Sequence, residues 1–231
     1  REAPPPSPAS APYRLHLDGV IYCSVFNTQD GRKNWHDMLC AFCIEFRDDP
    51  DVTLVFKLTH HDPSKAFEHV MGTIYRLSPF KCRVVMIQGY LDDADYEKLV
   101  SATSFALNAS AGEGQCLPLM EFMSAGKPAV TPWHTALLDY MNAENSFRVA
   151  TSLEISDWPH DLRHAFRARR HRLNVASLRQ AYRDSFDVAK SDPARYRRMS
   201  EHANRDLRAH CSSDVIEKKL RDFLGFPETP A

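Results

Sequence analysis

Two carboxylates separated by seven residues, Glu113 and Glu121, stand in the chemically most suggestive stretch of the chain, residues 108–128. The stretch reads Asn108-Ala-Ser-Ala-Gly-Glu-Gly-Gln-Cys-Leu-Pro-Leu-Met-Glu-Phe-Met-Ser-Ala-Gly-Lys-Pro128. Glu113 and Gly114 fall in a loop after a short apolar strand, and Glu121 falls near the first turn of a helix that begins at Leu117 with Pro118 just inside it. The first amides of a helix have no intrahelical acceptor, so this start is a site for an anion such as a diphosphate. Gly114 has no side chain to hold a ligand away from the backbone. Carboxylates accept hydrogen bonds from hydroxyls. A diphosphate on amides with hydroxyls on carboxylates describes a nucleotide sugar. Taken alone, Glu121 reads as a solvated glutamate on an amphipathic helix. It is the joint occurrence of Glu113, Gly114, Pro118, Glu121, Gly126 and Pro128 that reads as a site.

The elements that must position this loop alternate. Short β-branched and aromatic runs predict strands over 20–26, 52–58, 82–88, 105–108, 129–131 and 147–150. Apolar residues at helical spacing, with an acidic first turn in the third case, predict helices over 34–46, 64–77, 92–102 and 117–125, and another near 135–141. Strands that alternate with helices predict an α/β fold, a Rossmann-like doubly wound parallel sheet of about six strands. The continuous apolar character of the strands suits a sheet covered on both faces. From about residue 159 the pattern changes to strongly charged helical segments, near 159–187, 193–210 and 213–224. Residues 1–12 hold five prolines and read as a stiff linker, with residues 13–231 as the domain. The first residue is Arg1 rather than Met, so the chain reads as a piece of a longer protein.

Composition narrows the class of function. The 231 residues carry 29 Lys and Arg against 30 Asp and Glu, so no global charge draws the chain to nucleic acid. No apolar run is long enough to span a membrane. Six cysteines are scattered, and the Cys40-x-x-Cys43 spacing has no second pair, so a zinc site is unsupported and the pair reads as buried thiols on a helix face. Reduced thiols point to the cytoplasm. The basic run Arg163–Arg172 reads as a solvated helix face, with peripheral contact at the membrane inner face as the alternative. Walker, dinucleotide-fingerprint and His-Glu-x-x-His motifs are absent from the sequence.

The stretch 108–128 resembles the Glu-x7-Glu signature of retaining GT-B glycosyltransferases, especially family 4, the glycosyl transferases group 1 type. Ser110, Glu113, Gly114, Leu117, Pro118, Glu121, Met123, Gly126 and Pro128 match the pattern, while Gln115 and Cys116 replace its usual aromatic and second glycine. The resemblance extends over roughly residues 18–150. It implies that the chain is the donor-binding, C-terminal half of a GT-B fold, with the acceptor half in an upstream domain. It also implies transfer of a sugar from a nucleotide-diphosphate sugar to a glycan or lipid-linked acceptor, without metal or other cofactor. Carried over position by position, Lys33 matches the family's lysine in the first βα loop. The family's upstream arginine falls on Thr28, and Arg32 stands in for it. Glu113 would hold sugar hydroxyls, Glu121 the ribose, and the loop Gly114, Gln115, Cys116 and Leu117 the diphosphate. The strand 84–89 resembles the family's strand ending in glycine, which places Tyr90 beside the nucleobase. Where the family has a Gly-Gly turn and a glutamate, this chain has His134-Thr135 and then Asp139, which changes the contacts to the sugar. Two other readings stay open: a module that binds a nucleotide sugar or glycan without transferring it, and a GT-B-like nucleotide-sugar epimerase.

Overall fold

The computed structural model describes residues 15–59, 63–157, 162, 163 and 165–225, with side chains 63–66 excepted. The linker expected over residues 1–12 lies outside the described residues. The element order is β1 (Val20–Phe26), α1 (Trp35–Glu45), β2 (Val52–Leu58), α2 (Pro63–Leu77), β3 (Arg83–Ile87), α3 (Asp93–Ala102), β4 (Phe105–Leu107), α4 (Leu117–Ser124), β5 (Ala129–Pro132), β6 (Ser146–Val149), β7 (Thr151–Asp157), β8 (Arg167–Leu173), α5 (Val175–Ser191), α6 (Pro193–Cys211) and α7 (Ser213–Leu224).

The first six strands form one sheet in the order β3-β2-β1-β4-β5-β6, and every pairing in it is parallel. Parallel strands must be joined by crossovers, and here the crossovers are the helices that cover both faces. Such covering explains why β2 is buried at every position. On one face, Tyr22, Phe42, Phe46, Phe105 and Tyr182 form an aromatic nucleus between β1, β4, α1 and α5, with ring centroids 5.1–6.2 Å apart where they meet Tyr22. On the other face Ile21, Leu99, Leu119, Phe122, Met123 and Leu207 pack α3, α4 and α6 against the sheet. The sheet order reverses between β1 and β4. The loops leaving their carboxyl ends therefore diverge to opposite faces and leave a crevice, which is where open sheets of this kind bind ligands.

Two expectations are corrected. Within the span 159–187 expected as one helix, Arg167–Leu173 is strand β8, paired antiparallel with β7, and the helix α5 starts only at Val175, so residues 167–172 of the basic run lie on a strand rather than a helix face. Arginine is a good helix former, but local propensity yields here to non-local pairing. Glu154 stands directly opposite Arg170 across the ribbon and is bonded to it at 2.7 Å, with Arg172 4.0 Å away, and Asp157 pairs with Arg167 opposite it. Opposite charges in register are a cross-strand stabilisation that no helical pattern reveals. Any membrane contact through a basic 163–172 helix falls with that helix. The segment near 135–141 is likewise a 3-10 turn, Thr135–Asp139. Among the described residues, no helix is long and apolar enough to cross a membrane.

Candidate donor site

The site is built by the loops after β1 and β4, the two strands at the point where the sheet order reverses. After β1, Asp30 caps a 3-10 turn, Gly31–Lys33, by accepting from the Arg32 backbone N–H at 3.2 Å. The same carboxylate accepts from Arg32 Nε and Nη2 at 3.1 and 2.8 Å. Arg32 Nη1 then reaches across to the β4 loop, donating to the Gly112 carbonyl at 2.6 Å and to Glu113 Oε2 at 2.9 Å. Lys33 Nζ donates to the other oxygen, Glu113 Oε1, at 2.6 Å. Two further bonds lock the loops together: the Ala111 backbone N–H donates to the Arg32 carbonyl at 2.8 Å, and the Asn34 side-chain Nδ2 donates to the Ala109 carbonyl at 2.8 Å.

The Glu113 side chain is only 4% exposed. Burial pushes its carboxyl upward, but the hydrogen bonds and charges of Lys33 and Arg32 outweigh this and hold it below the usual carboxylate range. The two cations differ in what they have left. Arg32 has four of its five N–H groups committed to Asp30, Gly112 and Glu113. Lys33 spends one bond on Glu113 and lines a small, mostly apolar recess with Val25, Phe26, Met38, Leu107, Asn108 and Cys116. Of the pair, Lys33 keeps the larger share of its donors uncommitted, although its side chain is the less exposed, 17% against 37%.

The recess ends at the start of α4. Cys116 precedes that helix in the left-handed conformation, φ 62°, and offers it no side-chain cap. Leu117 leads the helix, Pro118 has no amide to offer, and the Leu119 amide faces the Cys116 thiol. The Cys116 thiol is pushed up to about 12, first by burial and then by the Glu113 carboxylate, so it faces the recess as a neutral group. A side chain at Gly114 would project into open space rather than into protein, so the loop presents bare backbone there. Leu117 is exposed, and Gln115 uses its carbonyl to accept from the Tyr140 hydroxyl. Gly126, at φ +75°, ends α4 where a Cβ would lie 2.8 Å from Ser200 Oγ, which is why that position is glycine.

The structure thus brings Arg32, Lys33 and Glu113 into one bonded group beside Gly114 and the α4 start. Glu121 lies apart from them, one face around α4, where its Oε2 accepts from the Tyr96 hydroxyl of α3 at 2.7 Å in a shallow pocket that Lys127 also lines. Tyr90, after the turn at Gly89, is 89% exposed. Sequence reasoning missed Tyr96, Asp30 and His171. The last enters from β8, where its backbone N–H donates to the Ala111 carbonyl at 2.8 Å. Neither the Cys40–Cys43 pair nor any other group of three or more His, Cys, Asp or Glu among the described residues is arranged to hold a metal.

No protein-family model matches the sequence, and no curated protein matches it. The structure does have known counterparts. Sucrose-phosphate synthase from Thermosynechococcus elongatus superposes with a TM-score of 0.66 at 18% identity, over 91% of this chain and 46% of that one. Anabaena HepE, solved in complex with UDP-glucose, gives 0.64 at 15% identity over 90% and 49%. The C-terminal domain of a group 1 family glycosyl transferase from Francisella tularensis gives 0.52 at 16% identity over 84% and 86%. The chain spans about half the length of the first two. At these identities the likeness is one of fold, and the fold is the α/β domain of GT-B glycosyltransferases.

Proposed function

We propose that this domain binds a nucleotide-diphosphate sugar and serves as the donor half of a retaining glycosyltransferase, the acceptor half being a second domain. One observation carries the reading: a buried carboxylate, Glu113, is held by Lys33 and Arg32 across the crevice of the sheet, beside an uncapped helix start. In this arrangement the diphosphate lies between Lys33 and the leading amides of α4. Its charge, which grows as the sugar departs, is stabilised there by a cation and by fixed dipoles already in place. Glu113 accepts from sugar hydroxyls, and Arg32 acts through Glu113 by fixing its orientation. Glu121 accepts from the ribose on the far side of α4, with Tyr96 holding the carboxylate in place, and Tyr90 covers the base. Lys33 and the amides do the work that a metal would otherwise do at the diphosphate, so no metal is required.

The test is a thermal-shift screen of the domain against nucleotide-diphosphate sugars, starting with UDP-glucose because the similar HepE structure contains it. A rise in melting temperature with one sugar nucleotide, larger than with the corresponding monophosphate, is expected. No shift with any of them would overturn the reading.

One observation favours the second reading, a binder that does not transfer. Thr28 occupies the position where an arginine would face the diphosphate, and Arg32 is largely committed to protein oxygens. Donor binding without sugar transfer by the full-length protein would establish it.

A further inference from the structure

The turn after β5 contains no glycine, yet Thr135 holds φ +49°, a left-handed conformation that is costly for a β-branched residue. Strain of this kind persists only where the surroundings impose it. The surroundings here are specific. The Thr135 hydroxyl accepts from the Glu113 backbone N–H at 3.0 Å, and the Glu113 carbonyl faces the Ala136 N–H at 3.4 Å. His134, only 2% exposed, brings Nδ1 to 3.2 Å from the same hydroxyl. The His134 ring in turn lies flat against the ring of His171, with centroids 4.1 Å apart and planes 14° from parallel.

His171 belongs to the β7–β8 ribbon and is fixed from two further directions. Its backbone N–H donates to the Ala111 carbonyl at 2.8 Å, and its Nδ1 lies 3.2 Å from Thr151 Oγ1 on β7. An unbroken series of contacts therefore runs from the ribbon through His171, His134 and Thr135 to the backbone of Glu113. Lys33 and Arg32 hold the carboxylate of that same residue.

We propose that His134, Thr135 and His171 are positioning residues through which the β7–β8 ribbon sets where the Glu113 carboxylate stands. This rests on the donor reading given above. On that reading the three residues govern recognition of the sugar and leave recognition of the nucleotide alone, because the series ends on Glu113 and has no contact with Glu121. The ribbon is then part of the donor site's frame rather than an appendage. Its length and register decide how far Glu113 reaches, and Thr135 is the joint at which that setting is read.

Two measurements test this. The first needs no ligand. Hydrogen exchange at residues 112–114 should quicken by about tenfold in Thr135→Val, which keeps the shape but removes the hydroxyl, and in His171→Ala, which removes the stacked ring. Thr135→Ser and His171→Phe, which restore the hydroxyl and a flat ring, should return protection to the wild-type level. Unchanged exchange in both disruptive variants would overturn the coupling whatever the domain binds. The second measurement is calorimetric binding of UDP-glucose and UDP. Thr135→Val should lose about tenfold in affinity for UDP-glucose while its affinity for UDP stays within about twofold. Equal loss for both ligands would reduce Thr135 to a structural role and overturn the proposal. Failure of wild type to bind either ligand would count against the donor reading, while the exchange result would still decide the coupling.

Discussion

Lys33 Nζ lies 2.6 Å from Glu113 Oε1, an ion pair between residues 80 positions apart that closes the crevice between the loops of β1 and β4. Its carboxylate is almost wholly buried, so both partners depend on each other in a way that an exposed pair would not. Several expected outcomes follow from that dependence and from its neighbours.

Lys33→Ala should weaken binding of a nucleotide diphosphate more than of the monophosphate. A charge-assisted bond in a sheltered site contributes roughly 1.5–3 kcal/mol. Arg32→Ala should instead lower the melting temperature and affect both ligands alike, because its donors are committed to Asp30, Gly112 and Glu113. Calorimetry on both variants checks this, and the assignment fails if Arg32→Ala shows the larger preference for the diphosphate.

Glu113→Gln should spare the bare nucleotide and impair the sugar nucleotide. Glu121→Ala should weaken the nucleotide itself, by about 1–3 kcal/mol for a hydroxyl partner lost. Tyr96→Phe removes the bond that orients Glu121 and should reproduce part of the Glu121 effect. Competition binding with and without the sugar separates the two carboxylates. Identical profiles for Glu113→Gln and Glu121→Ala would show that the division of roles is wrong.

Acidification should loosen the frame of the site before it protonates the carboxylates. Burial, and next the charge of His171, lower His134 from 6.5 to about 4, while Glu113 and backbone carbonyls nearby oppose the shift. Between those values the unfolded chain binds a proton that the folded chain does not. The contribution is therefore complete above about pH 6.5 and is lost as pH falls toward 4. Glu113, with its carboxyl held low, adds its own loss only further into acid. Urea midpoints should fall between pH 7 and pH 5 in wild type and fall less in His134→Gln. Parallel pH profiles for the two proteins would exclude His134 as the source.

Gly126→Ala should destabilise by about 1–3 kcal/mol without changing ligand preference. The position has φ +75°, and the new Cβ would meet Ser200 Oγ at 2.8 Å. Since Gly126 ends α4, thermal denaturation and donor binding should be measured on the same sample. A melting temperature equal to wild type would show that α6 yields easily at this contact.

The sequence alone was enough for the six strands of the sheet and for the helices α1 to α4 between them, though not for the 3-10 turn at Thr135–Asp139. Period and β-branched runs placed β1 and β2 to the residue, and α1, α3 and α4 within a residue or two, because those signals are local. The loop at Glu113 was legible for the same reason, since its glycines, proline and carboxylates lie in one short stretch. That the loop after β1 would face the start of the helix near Gly114 was to be expected of a doubly wound sheet.

Only the tertiary structure decided what each charge faces. Arg32 and Lys33 are adjacent in sequence and equally basic, yet one is spent on Asp30 and Gly112 and the other looks into the recess, a difference set by two loops meeting across the sheet. The arginines of Arg167–Leu173 are good helix formers, yet the segment is strand β8, paired with β7 so that Glu154 and Asp157 stand in register opposite Arg170 and Arg167. His171 reached His134 only through that pairing. Backbone propensity is a property of neighbours in the chain, whereas the partner of a charge or a ring is a property of neighbours in space, and long-range strand pairing is where the two part company.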